Sequence, residues 1–216
     1  MSFFGFAPSE MLLKNIQTGV EKKNSNEPLY PLRDQTALLI NDEIIDAILT
    51  DPIRHFPPSD KRDTAEKLSG YIKSTVAVLL KQLLSNAQND VVRHSIEFSE
   101  QSLFQTQTGE YRVGEALDAD LVKNLKQCYA DIHAGQEIDL VALTDYYKQF
   151  SDATIKHFMS DFNHTLDLGL IKRKASELGA AAVTKAVHVA INKIIPKLSK
   201  EELTTLAEHH DQLFFQ

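Results

Sequence analysis

The run LIKRKASELGAAAVTKAVHVAINKIIP, from Leu170 to Pro196, most constrains what this chain can fold into. Placed on a helix, Ser176, Ala180, Val183, Val187, Ala190, Ile191 and Ile194 form one stripe of small and medium side chains. Lys185, Asn192 and Lys193 lie opposite, and Pro196 ends the run because it lacks an N–H and clashes with a continuing turn. A stripe rich in Ala and Val lets neighbouring helices approach closely. The run therefore predicts a central packing helix of an all-α domain. It also predicts that any cavity lies along the aromatic helix before it rather than against its own small side chains.

The rest of the chain agrees with helix. Only 8 glycines and 7 prolines punctuate 216 residues, which favours long helices over a many-turned β-sandwich. With 43% apolar and 25% charged residues the composition is that of a globular protein with a substantial core. A first helix starts near Pro8-Ser9-Glu10 and carries Met11, Leu12, Ile16 and Val20, before a polar linker that ends at Pro28–Pro31. A second runs from Arg33 to Thr50, and Asp51-Pro52 through Pro57-Pro58 is expected to be non-helical. Ser59 is placed to cap a third, with Leu68, Ile72, Val76, Leu79 and Leu83 at helical intervals.

Asp90 to Leu103 carries a mixed helix and strand signal, and Phe104–Val113 reads as a β-hairpin turning at Thr108-Gly109. Helices follow from Asp118 to His133, stopped by Gly135, and from Asp139 to Leu166. A last one starts at Ser199 with the capping-box pattern Ser199-Lys200-Glu201-Glu202. The expected fold is an all-α multi-helix bundle of about seven or eight helices with a small β-hairpin near 104–113. Residues 1–31 are expected to form an N-terminal helix and linker packed on the main domain, and residues 32–216 the helical bundle domain.

Charge and motifs exclude several function classes. A formal charge of −7 argues against binding nucleic acid through the whole surface, which needs Lys and Arg to displace counterions. The single cysteine, Cys128, leaves no intramolecular disulfide and no multi-cysteine zinc site, which suits a reducing cytoplasm. It falls on the apolar stripe of its helix, as a buried inert thiol would. The opening MSFFGFAPSE lacks the basic flank of a secretory signal, and no transmembrane segment is expected. There is no glycine-rich phosphate loop, no Gly-x-Ser-x-Gly and no His-Glu-x-x-His.

Two groups of residues remain as candidates. His157, Asp161 and His164, spaced by four and three, fall on one helical face within about 10 Å and offer the ligand types of a divalent metal such as Zn, Fe or Mn. The blander account is a partly buried histidine oriented by Asp161, or a solvated rim. Phe3, Phe4, Phe214 and Phe215 are the second group: terminal aromatics that either dock into the chain's own core or meet a partner. The adjacent His210-Asp211 is similar, over those two residues only, to the metal ligands of all-helical phosphohydrolases; its place near the C-terminus predicts an exposed helix end.

The leading expectation is thus a non-enzymatic module that binds a protein partner, a second copy of itself or a small ligand. The alternative is a metal- or cofactor-binding helical bundle centred on His157, Asp161 and His164. A helical transcription regulator stands third, opposed by the break at Glu27–Pro31 where two basic helices would need a short turn.

Overall fold

The computed structural model describes residues 2–215. Strand β1 (Ser2–Phe6) leads into α1 (Glu10–Lys22), which opens where the Ser9 hydroxyl accepts from the Leu12 N–H at 3.1 Å. Leu12 and Ile16 are buried on its inner face, whereas Met11 points outward. Helix α2 (Tyr30–Ile45) follows with Pro31 in its first turn, where a missing N–H costs nothing.

The second helix does not stop where expected. Asp46–Thr50 forms a wide π-helical turn, and Asp51–Arg54 continues as a short α-helix, α3, with Pro52 in its first turn. The expectation that Asp51-Pro52 is non-helical is therefore corrected. Pro52 cannot donate to the Ile48 carbonyl four residues earlier, and that oxygen takes its donor from a distant side chain, the His210 imidazole.

Helix α4 (Asp60–Leu83) is capped by Ser59, whose Oγ accepts from the Arg62 N–H at 3.1 Å. The ambiguous segment resolves as α5 (Asn89–Ser102), which passes directly into β2 (Leu103–Gln105). Gly109, at φ +84°, makes the turn into β3 (Tyr111–Leu117). Helix α6 (Ala119–His133) starts at the Asp118 cap and ends before Gly135, whose φ of +70° few other residues tolerate. Next comes α7 (Leu140–Ile155), which was expected to run on unbroken. Instead Lys156–Asp161 is a second π-helical turn, followed by the single turn α8 (Phe162–His164).

Helix α9 (Leu170–Ile194) holds the central stripe. Ser176, Ala180, Val183, Val187, Ala190 and Ile191 are all buried, and the helix packs on α4 and α7. Each buried Val or Ile contributes roughly 1.5–3 kcal/mol of apolar burial. By length and composition Leu170–Lys197 is the one helix among the described residues able to cross a membrane. A third of its apolar window is buried in the bundle. A short 3-10 turn, Ile195–Lys197, leads to α10 (Lys200–Asp211), where Ser199 and Glu202 complete the expected capping box.

The hairpin does not stand alone. β1, β2, β3 and β4 (Phe214–Phe215) form one antiparallel sheet in the order β2-β3-β1-β4. Phe4 pairs with Glu115 on one side and Phe214 on the other. A pair of local strands is marginal in water, and the two chain ends supply what it lacks. A Cβ at Gly114 would lie 1.8 Å from the Phe4 carbonyl oxygen, so only glycine permits this β1–β3 approach.

Candidate functional site

Two adjoining cavities of about 80 Å³ each run through the core, the first between α2, α4, α7 and α9, the second between α3, α4, α7, α9 and α10. They share Ile48, Leu49, Ile72, Phe150, Ser151 and Val187 as common wall. A third recess of about 30 Å³ continues past Val76, Phe158 and Met159 toward Ser176. Both π-helical turns border this space: the first contributes Ile48 and Leu49, the second Phe158 and Met159. An inserted residue widens a helix locally, and such turns recur at functional sites. Contrary to expectation, the cavity lies between the aromatic helix and the Ala/Val stripe. Small side chains on α9 leave volume opposite Phe150 that larger ones would fill.

Three polar side chains line the first cavity. Asn41 Nδ2 donates to the Ala37 carbonyl at 2.9 Å and Ser151 Oγ to that of Lys148 at 2.8 Å, so their own helices engage them. Thr154 differs. It is 8% exposed, and its hydroxyl has no hydrogen-bond partner among the described residues. Thr144, in the same helix, donates back to the Leu140 carbonyl at 2.6 Å, so the helix itself does not forbid that bond.

Beside Thr154 stands Glu115 of β3. Its Oε1 is likewise buried without a partner among the described residues. Burial pushes its carboxyl up to about 7; the Thr154 hydroxyl lowers it, Asp161 adds to the rise and Lys156 opposes it. The Thr154 hydroxyl is a donor within reach of that carboxyl.

At the other end, the second cavity meets a closed polar relay. Tyr147 Oη lies 2.7 Å from His210 Nδ1, and His210 Nε2 lies 2.9 Å from the Ile48 carbonyl oxygen. A carbonyl only accepts, so Nε2 carries the proton and Nδ1 accepts from the Tyr147 hydroxyl. Tyr129 Oη, 3.2 Å away, completes the chain by donating to Tyr147. Burial lowers the His210 pKa to about 4. Its exposure is 2%, which overturns the expectation of a free helix end: α10 packs on α6 and α3 and carries the ring inward. Burial raises both tyrosine hydroxyls, so the relay is neutral near pH 7.

The expected metal triad does not converge. Among the described residues no group of three His, Cys, Asp or Glu side chains is placed to hold a metal ion. The π-helical turn alters the angle between residues four apart, and each member has its own environment. The Ser102 hydroxyl donates to the Phe98 carbonyl at 2.9 Å, so His157 Nε2, 3.0 Å from Ser102 Oγ, must donate to it. Asp161 accepts from Lys156 at 2.8 Å through both oxygens, and His164 is exposed. Burial lowers the His157 pKa, with Asp161 opposing and Lys156 assisting.

The aromatic quartet is split by the sheet. Phe4 and Phe214 are buried and meet Phe150 with ring centroids 4.9 and 5.1 Å apart. Phe3 and Phe215 are half-buried on the other side around Phe104. Cys128 is half-buried on α6, and burial pushes its thiol up. His188 pairs with Asp152 at 2.7 Å.

An open groove of about 480 Å³ carries Glu43, Asp46 and Asp51, but each acid is engaged. Glu43 accepts from Ser9, Asp46 from Lys73, and Asp51 from Arg54. The core cavity is thus the better candidate. Sequence reasoning did not bring together Tyr129, Tyr147 and His210, which meet only through the tertiary fold. For Glu115 a signal exists: it alternates with Val113 and Leu117 on one strand and places an acid where that alternation requires an apolar residue.

No protein-family model matches this chain, and no curated protein or solved structure does.

Proposed function

We propose that this chain binds a small, elongated apolar molecule in the core between α4, α7 and α9, without transforming it. The observation that carries the reading is the pair of adjoining cavities, about 80 Å³ each, with six residues in common. Apolar cavities of this order stay dry and accept small hydrocarbons, because water entering them forfeits its hydrogen bonds. Few polar groups placed in an otherwise apolar wall are typical of ligand pockets, where they orient what the apolar surface holds.

The test is thermal unfolding with increasing 1-hexanol. Binding to the native state alone raises the melting temperature with concentration. Val187→Phe puts a ring into the wall shared by both cavities; the expected result is loss of that shift with an unchanged far-UV spectrum. A wild-type protein indifferent to hexanol, or a shift unaltered in Val187→Phe, refutes the reading.

A second reading, docking of a partner helix, is favoured by the outer face of α9. Ile171, Leu178 and Val189 are exposed there at helical spacing with Ala182 between them. Light scattering tests it: association of the wild type, abolished by Leu178→Asp, supports a self-complementary face. A monomer at all concentrations removes that form of it.

A further inference from the structure

We infer that the outer face of α9 docks on an anionic lipid bilayer, with its apolar side chains at the acyl boundary and its lysines at the phosphates. This goes beyond the cavity reading and does not depend on it. A partner helix on the same face is the competing outcome, which the experiment separates.

From Leu170 to Ala175 every residue is exposed, so the start of α9 stands clear of the bundle. Leu170 is 75% exposed, Ile171 86% and Leu178 73%, far more than single apolar residues on a packed helix need. By helical angle Ile171, Leu178, Ala182 and Val189 fall within about 40° of one another, in a stripe about 27 Å long. Ser176, Ala180, Val183 and Val187 face the other way and are buried.

The cations of α9 surround that stripe. Lys174 and Lys185 border it on one side and Lys193 on the other, all three exposed. With Lys172 and Arg173, α9 carries five cations against one acid, Glu177, in a chain that has 23 cations against 30 acids. Elsewhere the fold engages its lysines: Lys61 pairs with Glu202, Lys73 with Asp42 and Asp46, and Lys126 with Asp211. None of the five on α9 pairs with a carboxylate among the described residues. Lys172 and Arg173 reach only the Leu83 and Leu168 carbonyl oxygens, at 3.5 Å. Their charge is free for an anionic surface.

Composition selects that surface. The centres of protein–protein interfaces are rich in Tyr, Trp, Phe, Met and Arg and poor in Lys and Ala. This face holds alanines and lysines, and α9 has no Phe, Tyr or Trp. A nucleic acid would satisfy the lysines but leave Ile171 and Leu178 in water. A bilayer takes both: aliphatic side chains enter the acyl boundary, while lysine stems lie along it and carry their ammonium groups to the phosphates. An anionic leaflet adds attraction that acts within a Debye length. The helix lies in the boundary rather than crossing it, because Val183, Val187 and Ile191 are already buried against the bundle.

The experiment is co-sedimentation of the full chain with vesicles of phosphatidylcholine alone, and of phosphatidylcholine containing about one-third phosphatidylglycerol. The expected result is about tenfold tighter binding to the anionic vesicles, a preference that high salt removes. Lys174→Glu combined with Lys185→Glu should abolish the preference, and Leu178→Asp should abolish binding. All three side chains are exposed, so far-UV spectra should not change. The chain has no tryptophan, so Leu178→Trp supplies a single emitter whose fluorescence should shift to the blue on anionic vesicles. Met11→Trp, exposed on α1, which packs on α2 and α5, should show no shift. Equal binding to both vesicles, binding that survives Leu178→Asp, or no binding to either overturns the inference and leaves the cavity reading intact. No vesicle binding together with self-association that Leu178→Asp abolishes gives the face to a protein partner instead.

Discussion

His210 Nε2 donates to the Ile48 carbonyl oxygen at 2.9 Å and so supplies the hydrogen that Pro52 cannot. The residues are far apart in sequence, yet one exists structurally because of the other. A proline placed four residues after Ile48 leaves a buried carbonyl without its helical donor, and α10 delivers an imidazole to it. Nδ1 of the same ring is fixed by Tyr147 at 2.7 Å, so tautomer and orientation are both set. The cavity wall at Ile48 is thereby held open by a tertiary hydrogen bond rather than by the helix alone.

Acidification should unfold the protein through this ring. Folded His210 has a pKa of about 4, against 6.5 for a free histidine, because burial disfavours the cation. Between those values the unfolded chain binds the extra proton, so stability falls as pH drops from about 6.5 to about 4. The full difference is on the order of 3 kcal/mol. Urea unfolding at a series of pH values checks this. A His210→Phe variant must lose that part of the acid sensitivity; an unchanged pH dependence would refute the assignment.

Glu115 acts in the opposite direction over nearly the same range. Its carboxyl is raised from 4.5 to about 7, chiefly by burial, so the folded state holds the proton more tightly than the unfolded chain does. Its contribution is present below pH 4.5 and is lost as pH rises toward 7. It therefore offsets part of the His210 effect. Glu115→Gln should make stability climb more steeply with pH between about 5 and 6.5 than it does in the wild type. A parallel pair of curves would show that Glu115 is not perturbed in the folded protein.

Pro52 and His210 should be energetically coupled. His210→Phe strands the Ile48 carbonyl and the Tyr147 hydroxyl, at a cost of about 3 kcal/mol. Pro52→Ala restores a backbone N–H that can take over at Ile48. In that background the His210→Phe penalty should shrink by about 1 kcal/mol, since one of the two stranded groups regains a donor. Strict additivity in a double-mutant cycle would show that the imidazole does not replace the missing proline hydrogen.

Local rules made most of the helices legible, and non-local ones concealed the site. The caps at Ser9, Ser59, Asp118 and Ser199 and the stripe from Ser176 to Ile191 depend on neighbours within a turn or two, so the sequence displays them. Gly109 announced the hairpin for the same reason. The rest of the sheet was hidden, because Ser2 pairs with Leu117 across the whole first half of the chain. The π-helical turns have no local signature either. One sits where a proline meets a distant histidine, and the other carries Lys156 to Asp161 across a widened turn. That widening separated His157 and Asp161 from the geometry that a regular helix implies. His210 looked exposed because a chain end has few sequence neighbours, although α6 and α3 cover it in space.

Two glycines give the sharpest contrast between backbone and packing effects. A Cβ at Gly114 would sit 1.8 Å from the Phe4 carbonyl oxygen and 2.6 Å from the Gly5 Cα, both of them backbone atoms that no side-chain rotation can move aside. Gly114→Ala must therefore push β1 off β3, loosening the sheet that holds Phe4 against Phe150 and Glu115 beside Thr154. A loss of about 3 kcal/mol is expected, together with weaker hexanol binding. At Gly70, inside α4, an added Cβ meets nothing within 4 Å. Gly70→Ala should instead stabilise the protein by roughly 0.5–1 kcal/mol, because alanine loses less backbone freedom in a helix. Both values come from the same urea titration. A tolerated Gly114→Ala would mean that β1 does not pair with β3 as described, and the cavity would then have to form without the sheet.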